Sequence, residues 1–372
     1  MEALFFTVLL MLTIENLKNY LAEIFGGKVE IIGIGELGGE IKEADKLKGF
    51  GYGKPYLIKF KVNGNTKEVV LSTIKPSIFD HQHFSDRAKI LLWQHHAFNK
   101  LPNHVKSIDV GAFTANGKMI SLGKCTEFFL LTEKVEGTLY HADLDRIKTE
   151  GKLTKLDIER CEALAKYLAD IHQVKGSDQS LYLRKIRELI GHGECIMGLI
   201  DSYPSNLSYI TEEFYIEVER KCIEWRWKLK KKTHRLSQVH GDYHPWNIMF
   251  REGTDFTLLD RSRGARGEPA DDVTALTINY IFYSLQAHGK LEGVFEKLFQ
   301  IFWKTYIERT GDEEILEVVQ PFYAWRGLVI ASPIWYPTLP LNVRVKLFNF
   351  IKNVLKTEKF DINAVNQYLE ET

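Results

Sequence analysis

Two patterns of hydrophobic and polar positions divide the chain. From residue 29 to about residue 135, short β-branched and aromatic runs alternate with turns rich in Gly, Asn and Lys, which is typical of strands. Asn63-Gly64-Asn65 separates two of these runs and predicts a tight hairpin. The predicted strands are 29–34, 56–62, 68–74 and 127–132, and one helix is predicted over 86–99.

Beyond Gly137 the apolar residues recur at helical spacing instead. The segment 157–172 carries one apolar stripe, and Thr154 is placed to cap this helix. The same period predicts helices over 182–200, 211–230, 272–287 and 291–308. We therefore predict an α+β protein with a small strand-rich N-terminal lobe and a larger helical C-terminal lobe. The predicted divisions are an N-terminal segment and helix over 1–27, the first lobe over 28–135 and the second over 136–372.

Composition narrows the class of protein. The 372 residues are 45% hydrophobic and 12% aromatic, which excludes a low-complexity disordered chain. Lys and Arg number 49 and so do Asp and Glu, so no overall basic footprint for nucleic acid is present. The four cysteines form no C-x-x-C pair, and we expect reduced thiols in a cytoplasmic protein with no membrane association.

The segment His240-Gly241-Asp242-Tyr243-His244-Pro245-Trp246-Asn247 is the most unusual of the chain. Asp242 lies on a loop, Asn247 opens a short apolar strand, and a second apolar strand ends at Asp260. A hairpin of these strands brings the three residues close together. The oxygen ligands of Asn247 and Asp260 suit Mg²⁺, and Asp242 beside them can orient a hydroxyl and accept its proton.

The same residues also have simpler structural interpretations. A single Asp such as Asp242 is often a turn or cap residue, but three polar groups at matched places weaken that interpretation. His240 and His244 are four apart, yet the Gly and Pro between them argue against a helical zinc pair. We expect His240 to support the loop by packing and hydrogen bonding.

The motif H-G-D-x4-N followed by a strand ending in Asp resembles the aminoglycoside phosphotransferase family, which has the protein-kinase-like fold. This resemblance implies Asp242 as catalytic base and Asn247 and Asp260 as Mg²⁺ ligands, with ATP as co-substrate. After Asp260 the chain has Arg-Ser-Arg-Gly where the family usually has Phe-Gly or a similar pair. The continuation 267–272, Gly-Glu-Pro-Ala-Asp-Asp, resembles the family's G-D-P-x-x-D.

The resemblance also locates the nucleotide side. By lobe order, Glu133-Lys134-Val135 would present backbone groups to adenine. Gly49, Gly51 and Gly53 alternate before a strand, so their N–H groups can approach phosphates, although such a run can equally be a flexible connection.

The first lobe departs from the family at one position. Where the phosphate-binding Lys should stand, the sequence has Ser72. Lys75 could replace it if the strand bends at Pro76, and Lys48 or Arg87 are further candidates. Loss of this contact removes about 1.5–3 kcal/mol of charge-assisted binding, which weakens but does not exclude transfer.

Three arginines follow the metal-binding Asp, and a longer basic tract precedes the motif. Arg261, Arg263 and Arg266 can stabilise transferring phosphoryl charge or bind an anionic acceptor, or they can pair with the acidic residues of 268–272. We predict a small hydroxylated acceptor, with an anionic compound as one option, rather than an antibiotic. The tract 220–235 is interpreted as a solvated helix face with Trp packing inward, and no nucleic-acid partner is expected.

The first hypothesis is therefore a kinase-like phosphotransferase acting on a small-molecule hydroxyl. The alternative is a catalytically silent nucleotide-binding or scaffolding module of the same fold, which Ser72 favours. An RNA-binding protein using the tract 220–235 is a third hypothesis and would bind RNA with steep salt dependence.

The first residues generate a prediction about the start of translation. The apolar run 3–12 is too short to span a bilayer and lacks a preceding Lys or Arg, while Thr13 can cap a helix directly after it. We expect translation to begin at Met11. Intact mass spectrometry of the natively expressed protein should give a mass starting there, and a mass that includes Met1 would contradict this expectation.

Overall fold

The computed structural model describes residues 13–37, 53 and 55–371. The chain divides into two compact units, with the division between Thr132 and Glu133. Each unit has its own buried hydrophobic cluster. Within the described residues, no helix is long and apolar enough to cross a membrane.

The first unit is built on an antiparallel sheet. Its elements are α1 (Ile14–Phe25), β1 (Val29–Glu36), β2 (Tyr56–Val62), β3 (Asn65–Leu71), α2 (Phe84–Phe98), β4 (Gly111–Phe113) and β5 (Met119–Ser121). The sheet order is β1-β2-β3, and β4 pairs with β5. Side chains alternate along β2, and its inward residues Ile58 and Phe60 pack with Leu17 and Leu21 of α1.

Two local predictions in this unit are confirmed. Asn63 and Gly64 form the two-residue turn of the β2–β3 hairpin, both with positive φ (50° and 81°) as such turns require. The Thr13 side chain accepts a hydrogen bond from the Asn16 N–H and so caps α1. Gly26 with φ 69° ends that helix.

The second unit is mainly helical. Its helices are α3 (Tyr140–Glu150), α4 (Lys155–His172), α5 (Gln179–Gly191), α6 (Ile196–Ser202), α7 (Glu212–Leu229), α8 (Ala270–His288), α9 (Gly293–Thr310), α10 (Gln320–Ala331), α11 (Leu341–Val354) and α12 (Val365–Tyr368). Its short strands are β6 (Thr138–Leu139), β7 (Ser237–Gln238), β8 (Ile248–Phe250), β9 (Phe256–Leu258) and β10 (Arg266–Gly267), and 3₁₀ turns lie at Thr233–Arg235, Pro245–Asn247 and Glu313–Glu317.

Helix α8 lies in the centre of the second unit. Every residue from Asp272 to Leu285 is buried. This helix packs against α9, α10 and α11, and α9 also packs against α4. A helix that is apolar on all sides belongs in a core, and α8 therefore fixes where its N-terminal residues lie.

The strands of the second unit are short and serve local connections. The β8–β9 hairpin pairs Ile248 with Leu258, and β6 pairs with the other edge of β8. Strand β7 pairs with β10, which brings the segments before and after the hairpin side by side. The hairpin predicted between residues 247 and 260 is confirmed.

Two predicted elements differ in the structure. Residues 127–132 form no strand, and Phe129 is 92% exposed, because a run of consecutive apolar residues without a pairing partner makes no ladder. The helix predicted over 182–200 is two helices, α5 and α6, since the chain breaks at His192-Gly193. The predicted α+β class, with a small strand-rich N-terminal part and a larger helical C-terminal part, is confirmed.

The packing of α10 on α11 generates a prediction. A Cβ placed on Gly327 would lie 2.7 Å from Cγ1 of Ile351, so Gly327→Ala should lower the free energy of unfolding by about 1–3 kcal/mol. Gly191 at the end of α5 has no atom within 4 Å of its added Cβ and is the matched control. Urea denaturation should show Gly191→Ala to be neutral or slightly stabilising. Equal effects of the two substitutions would contradict this account of the helix contact.

Candidate active site

Buried Asp272 holds the loop that carries Asp242. Its two carboxylate oxygens accept the backbone N–H groups of His240 and Gly241, each at 2.7 Å. Gly241 has φ 90°, and its added Cβ would lie 3.1 Å from Cβ of Arg263. Glycine is therefore required here both by the backbone conformation and by the close approach of the next loop.

A second layer of buried groups fixes Asp272. His172 Nε2 lies 3.1 Å from Asp272 Oδ2, and His172 Nδ1 lies 2.8 Å from the Tyr306 hydroxyl. Burial alone would raise the pKa of Asp272, but the contact with His172 and the two backbone amides outweigh it. The pKa of Asp272 is therefore below its usual value, and the carboxylate stays charged.

His240 is buried inside the same loop. Its Nδ1 accepts the backbone N–H of Asp242 at 3.3 Å, and its ring packs edge-on against Tyr243. Burial lowers the pKa of His240, so the ring is neutral at physiological pH. These contacts are those of a loop-supporting residue.

Asp242 is held from two sides. Arg326 donates from Nη1 to Oδ1 at 2.6 Å, and His244 Nε2 lies 3.4 Å from Oδ2. The Nδ1 of His244 accepts the N–H of Trp246, which leaves its proton on Nε2, facing the carboxylate. Burial pushes the pKa of Asp242 up, but the His244 hydrogen bond and the Arg326 charge hold it well below its usual range.

Arg326 connects two carboxylates and is the residue that sequence reasoning missed. From α10 it donates Nη2 to Asp271 Oδ1 at 2.6 Å and to the carbonyl of Gly241 at 3.3 Å. The side chain is only 8% exposed. A single Arg within the apolar helix Gln320–Ala331 is itself a signal, because a buried guanidinium requires charged partners.

Asn247 and Asp260 lie at the same end of the β8–β9 hairpin. Asn247 donates its side-chain N–H to the carbonyl of Asp242 at 3.0 Å, so the amide oxygen points away from that bond. The Leu259 N–H donates to the Asn247 carbonyl at 2.9 Å, and Asp260 follows directly with φ 49°. Asp260 Oδ1 accepts the N–H of Ser262 at 3.2 Å. Asp242, Asn247 and Asp260 are therefore brought together by one loop and one hairpin.

The three arginines after Asp260 have different surroundings. Arg261 donates to the carbonyls of Val239 (2.7 Å) and Ala265 (3.2 Å), and Arg266 donates to the carbonyl of Val174 at 2.7 Å. Both therefore tie loops of the second unit together.

Arg263 differs, since its guanidinium lies 4.4 Å over the ring of Trp325. The acidic residues that were considered as partners for the arginines pair elsewhere. Glu268 binds Arg235 at 2.8 Å, while Asp271 and Asp272 bind Arg326 and His172.

The predicted nucleotide residues of the first unit lie around the end of β3. Gly49 and Gly51 are outside the described residues. Gly53 lies so close to Thr73 that an added Cβ would be 1.9 Å from its carbonyl oxygen, which excludes any side chain. Ser72 directly follows β3 and is exposed, and Lys75 lies half-buried in the extended segment before α2.

Glu133 and Val135 open the second unit in an extended segment. Glu133 is exposed and Val135 half-buried, and Lys134 between them pairs with Glu136 at 2.5 Å. Their backbone groups take part in no strand there.

The basic tract 220–235 has mainly structural contacts. Trp225 is buried and donates its indole N–H to the Leu355 carbonyl at 3.0 Å, whereas Trp227 is 58% exposed. Lys228 and Lys232 form ion pairs with acidic residues of other segments. The tract is therefore neutralised in part by the fold itself.

A comparison of the chain with known protein families identifies the same segment as the geometry described above. Residues 114–288 match the phosphotransferase enzyme family APH. This segment contains Asp242, Asn247, Asp260 and Asp272, so the predicted resemblance to the aminoglycoside phosphotransferases is confirmed. The family similarity therefore covers the part of the chain in which this loop and hairpin lie.

Solved structures were compared as well. An ethanolamine kinase of Plasmodium vivax is 14% identical over 91% of this chain and 82% of its own, with a TM-score of 0.35. An amicoumacin kinase is 14% identical over 96% and 99%, with a TM-score of 0.39. A choline kinase of Streptococcus pneumoniae is 13% identical over 92% and 98%, with a TM-score of 0.33. A search of curated protein sequences finds no significant match.

The Arg326 pair generates a prediction about stability and pH. Arg326→Met leaves Asp242 and Asp271 without their shared cation, and we expect a loss of about 3–5 kcal/mol in the free energy of unfolding near pH 7. The pKa of Asp242 is low in the folded protein, so its stabilising effect is present above about pH 4 and is lost as pH falls. Burial raises the pKa of Asp271 to about 6, so the loss in the variant should begin to shrink below about pH 6 and continue to shrink towards pH 4, where protonation relieves both unpaired carboxylates.

Arg344 provides the control for this experiment. It is buried on α11 and donates to the backbone carbonyls of Ala331, Tyr336 and Leu339, and among the described residues no carboxylate pairs with it. Chemical denaturation across the pH range should show Arg344→Met to be destabilising by an amount that does not depend on pH. A pH-independent loss for Arg326→Met as well would refute the charge-based role of Arg326.

Proposed function

We propose that the protein transfers the γ-phosphoryl group of ATP to a hydroxyl of a small molecule. The observation that carries this proposal is the Asp242 carboxylate, kept ionised by Arg326 and His244 beside Asn247 and Asp260. Asp242, His244, Asn247 and Asp260 lie in the segment that matches the phosphotransferase family, and Arg326 lies outside it.

Asp242 is the base of the proposed reaction. Oδ1 is engaged by Arg326 at 2.6 Å, whereas Oδ2 has two longer contacts at 3.4 Å, from His244 Nε2 and from the Asn247 amide nitrogen, and is the oxygen that receives the acceptor hydroxyl. A carboxylate with a lowered pKa is a weak base, so its main contribution is to orient the hydroxyl. Phosphoryl transfer through a loose transition state demands positioning more than early removal of the proton.

Asn247 and Asp260 fit Mg²⁺. The Asn247 amide nitrogen is used by the Asp242 carbonyl, which leaves the amide oxygen for a ligand, and Asp260 adds a carboxylate at the same end of the hairpin. Mg²⁺ takes few protein ligands and prefers oxygen. Among the described residues no group of three or more His, Cys, Asp or Glu forms a denser metal site. When bound, the ion would supply positive charge that neutralises the phosphates of ATP.

The nucleotide residues remain part of the proposal. Gly53, with Gly49 and Gly51, would let the backbone approach phosphates, and Lys75 would supply the charge that Ser72 lacks. Glu133 and Val135 would offer backbone groups to adenine. We also propose a cytoplasmic location and a partner that is a small molecule rather than nucleic acid.

A silent nucleotide-binding or scaffolding module is the second candidate. Ser72 favours it, because a phosphotransferase without a lysine at that position loses one charge-assisted phosphate contact. Mg²⁺-dependent and Asp242-dependent turnover of ATP would exclude this candidate.

The proposal predicts the effects of two substitutions. Asp242→Asn should lower kcat by about 10²–10⁴-fold while nucleotide binding persists, because the orienting carboxylate is lost. Asp260→Ala should abolish Mg²⁺-dependent ATP binding, measured by thermal shift and calorimetry. Turnover is measured as ADP release, first with ATP alone and then with ATP and each of a set of hydroxyl-bearing metabolites.

Asp255→Asn is the matched control. Asp255 lies in the turn of the same hairpin, is 64% exposed and pairs with Arg251. It should leave turnover and metal-dependent binding unchanged. Full activity of Asp242→Asn, checked for folding by circular dichroism, would refute the role of the base.

A further inference from the structure

Trp325 is a fixed aromatic platform beside the loop of Asp242. Its ring is buried, and its indole N–H donates to the Glu194 carbonyl at 3.0 Å. The guanidinium carbon of Arg326 lies 3.9 Å from the ring centre, and that of Arg263 lies 4.4 Å from it. Trp325 therefore orders two arginines, Arg263 and Arg326, and Arg326 binds Asp242.

Arg263 has weak hydrogen-bond partners. Its Nη1 lies 3.5 Å from the Cys195 sulfur, and its Nη2 lies 3.7 Å from a carboxylate oxygen of Glu194, whose side chain is 69% exposed. Its Nε is buried with no partner among the residues that the structure describes. By contrast, Arg261 and Arg266 each reach a backbone carbonyl at 2.7 Å.

Arg263 also starts next to the proposed base. The Cβ of Arg263 lies 3.1 Å from the position that a Cβ on Gly241 would take, and Gly241 directly precedes Asp242. A guanidinium that stacks on an indole keeps its planar edge available for a carboxylate or phosphate. Arg326 is already balanced by Asp242 and Asp271, so the positive charge of Arg263 is the one that a ligand meets.

We propose that Arg263 binds an anionic group of the phosphoryl acceptor. The acceptor is then a small hydroxylated compound that carries a carboxylate or a phosphate, with its hydroxyl on Asp242 and its anionic group on Arg263. Glu194 is exposed, and its 3.7 Å contact with Arg263 is lost when the ligand binds. A cationic amino alcohol would instead bring positive charge towards two guanidinium groups. This inference rests on the proposed phosphotransferase function.

A matched set of acceptors tests the charge. Glycerol, glycerate, glycerol phosphate and ethanolamine, with the corresponding glucose, gluconate, glucose phosphate and glucosamine, are supplied with Mg²⁺ and ATP while ADP release is measured. We expect kcat/KM to be at least about tenfold higher for an acidic member than for its neutral or cationic counterpart. The carboxylate and phosphate arms identify which anion is recognised. Preference for a neutral or cationic member would overturn the proposal.

Substitutions then assign the effect to one side chain. Arg263→Gln should raise the acceptor KM about tenfold, more than it changes the KM for ATP. The acceptor KM of Arg263→Lys should lie between those of the wild type and Arg263→Gln. Arg251→Gln removes a charge from the nearby exposed hairpin turn and should leave both constants unchanged. A fall in kcat with an unchanged acceptor KM would place Arg263 on the transferring phosphoryl group and overturn the proposal.

A binding measurement separates this inference from the proposed function. Inorganic phosphate and glycerate are titrated calorimetrically into the protein, with and without Mg²⁺ and a non-hydrolysable ATP analogue. We expect Arg263→Gln, but not Arg251→Gln, to weaken binding about tenfold. No anion binding, or equal binding by both variants, would overturn the inference. Absence of Asp242-dependent turnover would instead refute the proposed function and leave the anion-binding result to stand by itself.

Discussion

The contact between the Asp272 carboxylate and two backbone amides is the constraint on which the site depends. The carboxylate begins the buried helix α8, and each of its oxygens accepts one N–H of the loop, from His240 and from Gly241, at 2.7 Å. A carboxylate buried in a core must be fully hydrogen-bonded, and His172 completes its set. The buried helix α8 thereby fixes the backbone directly before Asp242.

A second contact holds Asp242, and it comes from a residue 84 positions further along the chain. Arg326 of α10 binds Asp242 and Asp271, so three charged groups form a chain through the interior. Removing either end would leave a charge in surroundings that solvate it poorly. The same contacts that hold Asp242 in place also keep it ionised, since the nearby cation favours the carboxylate over the acid.

Much of this could be predicted from the sequence. The division into strand-rich and helical parts, the Asn63-Gly64 hairpin and the hairpin before Asp260 follow from periodicity and turn chemistry, which are local. The convergence of Asp242 with Asn247 followed from the same hairpin. Arg326 could not be found in this way, because its partner Asp242 is 84 residues away and no local pattern encodes such a distance. The strand predicted over 127–132 failed because apolar residues alone do not supply a pairing partner.

Helix α10 packs on α11 at Gly327, directly after Trp325 and Arg326. One helix thus carries both the cation that favours the charged form of Asp242 and the ring on which Arg263 stacks. A displacement of this helix would change the pKa of Asp242 and the position of the Arg263 guanidinium together. A substitution of Arg263, on the loop that meets the ring, would instead change one side chain and leave the contact between Arg326 and Asp242 in place.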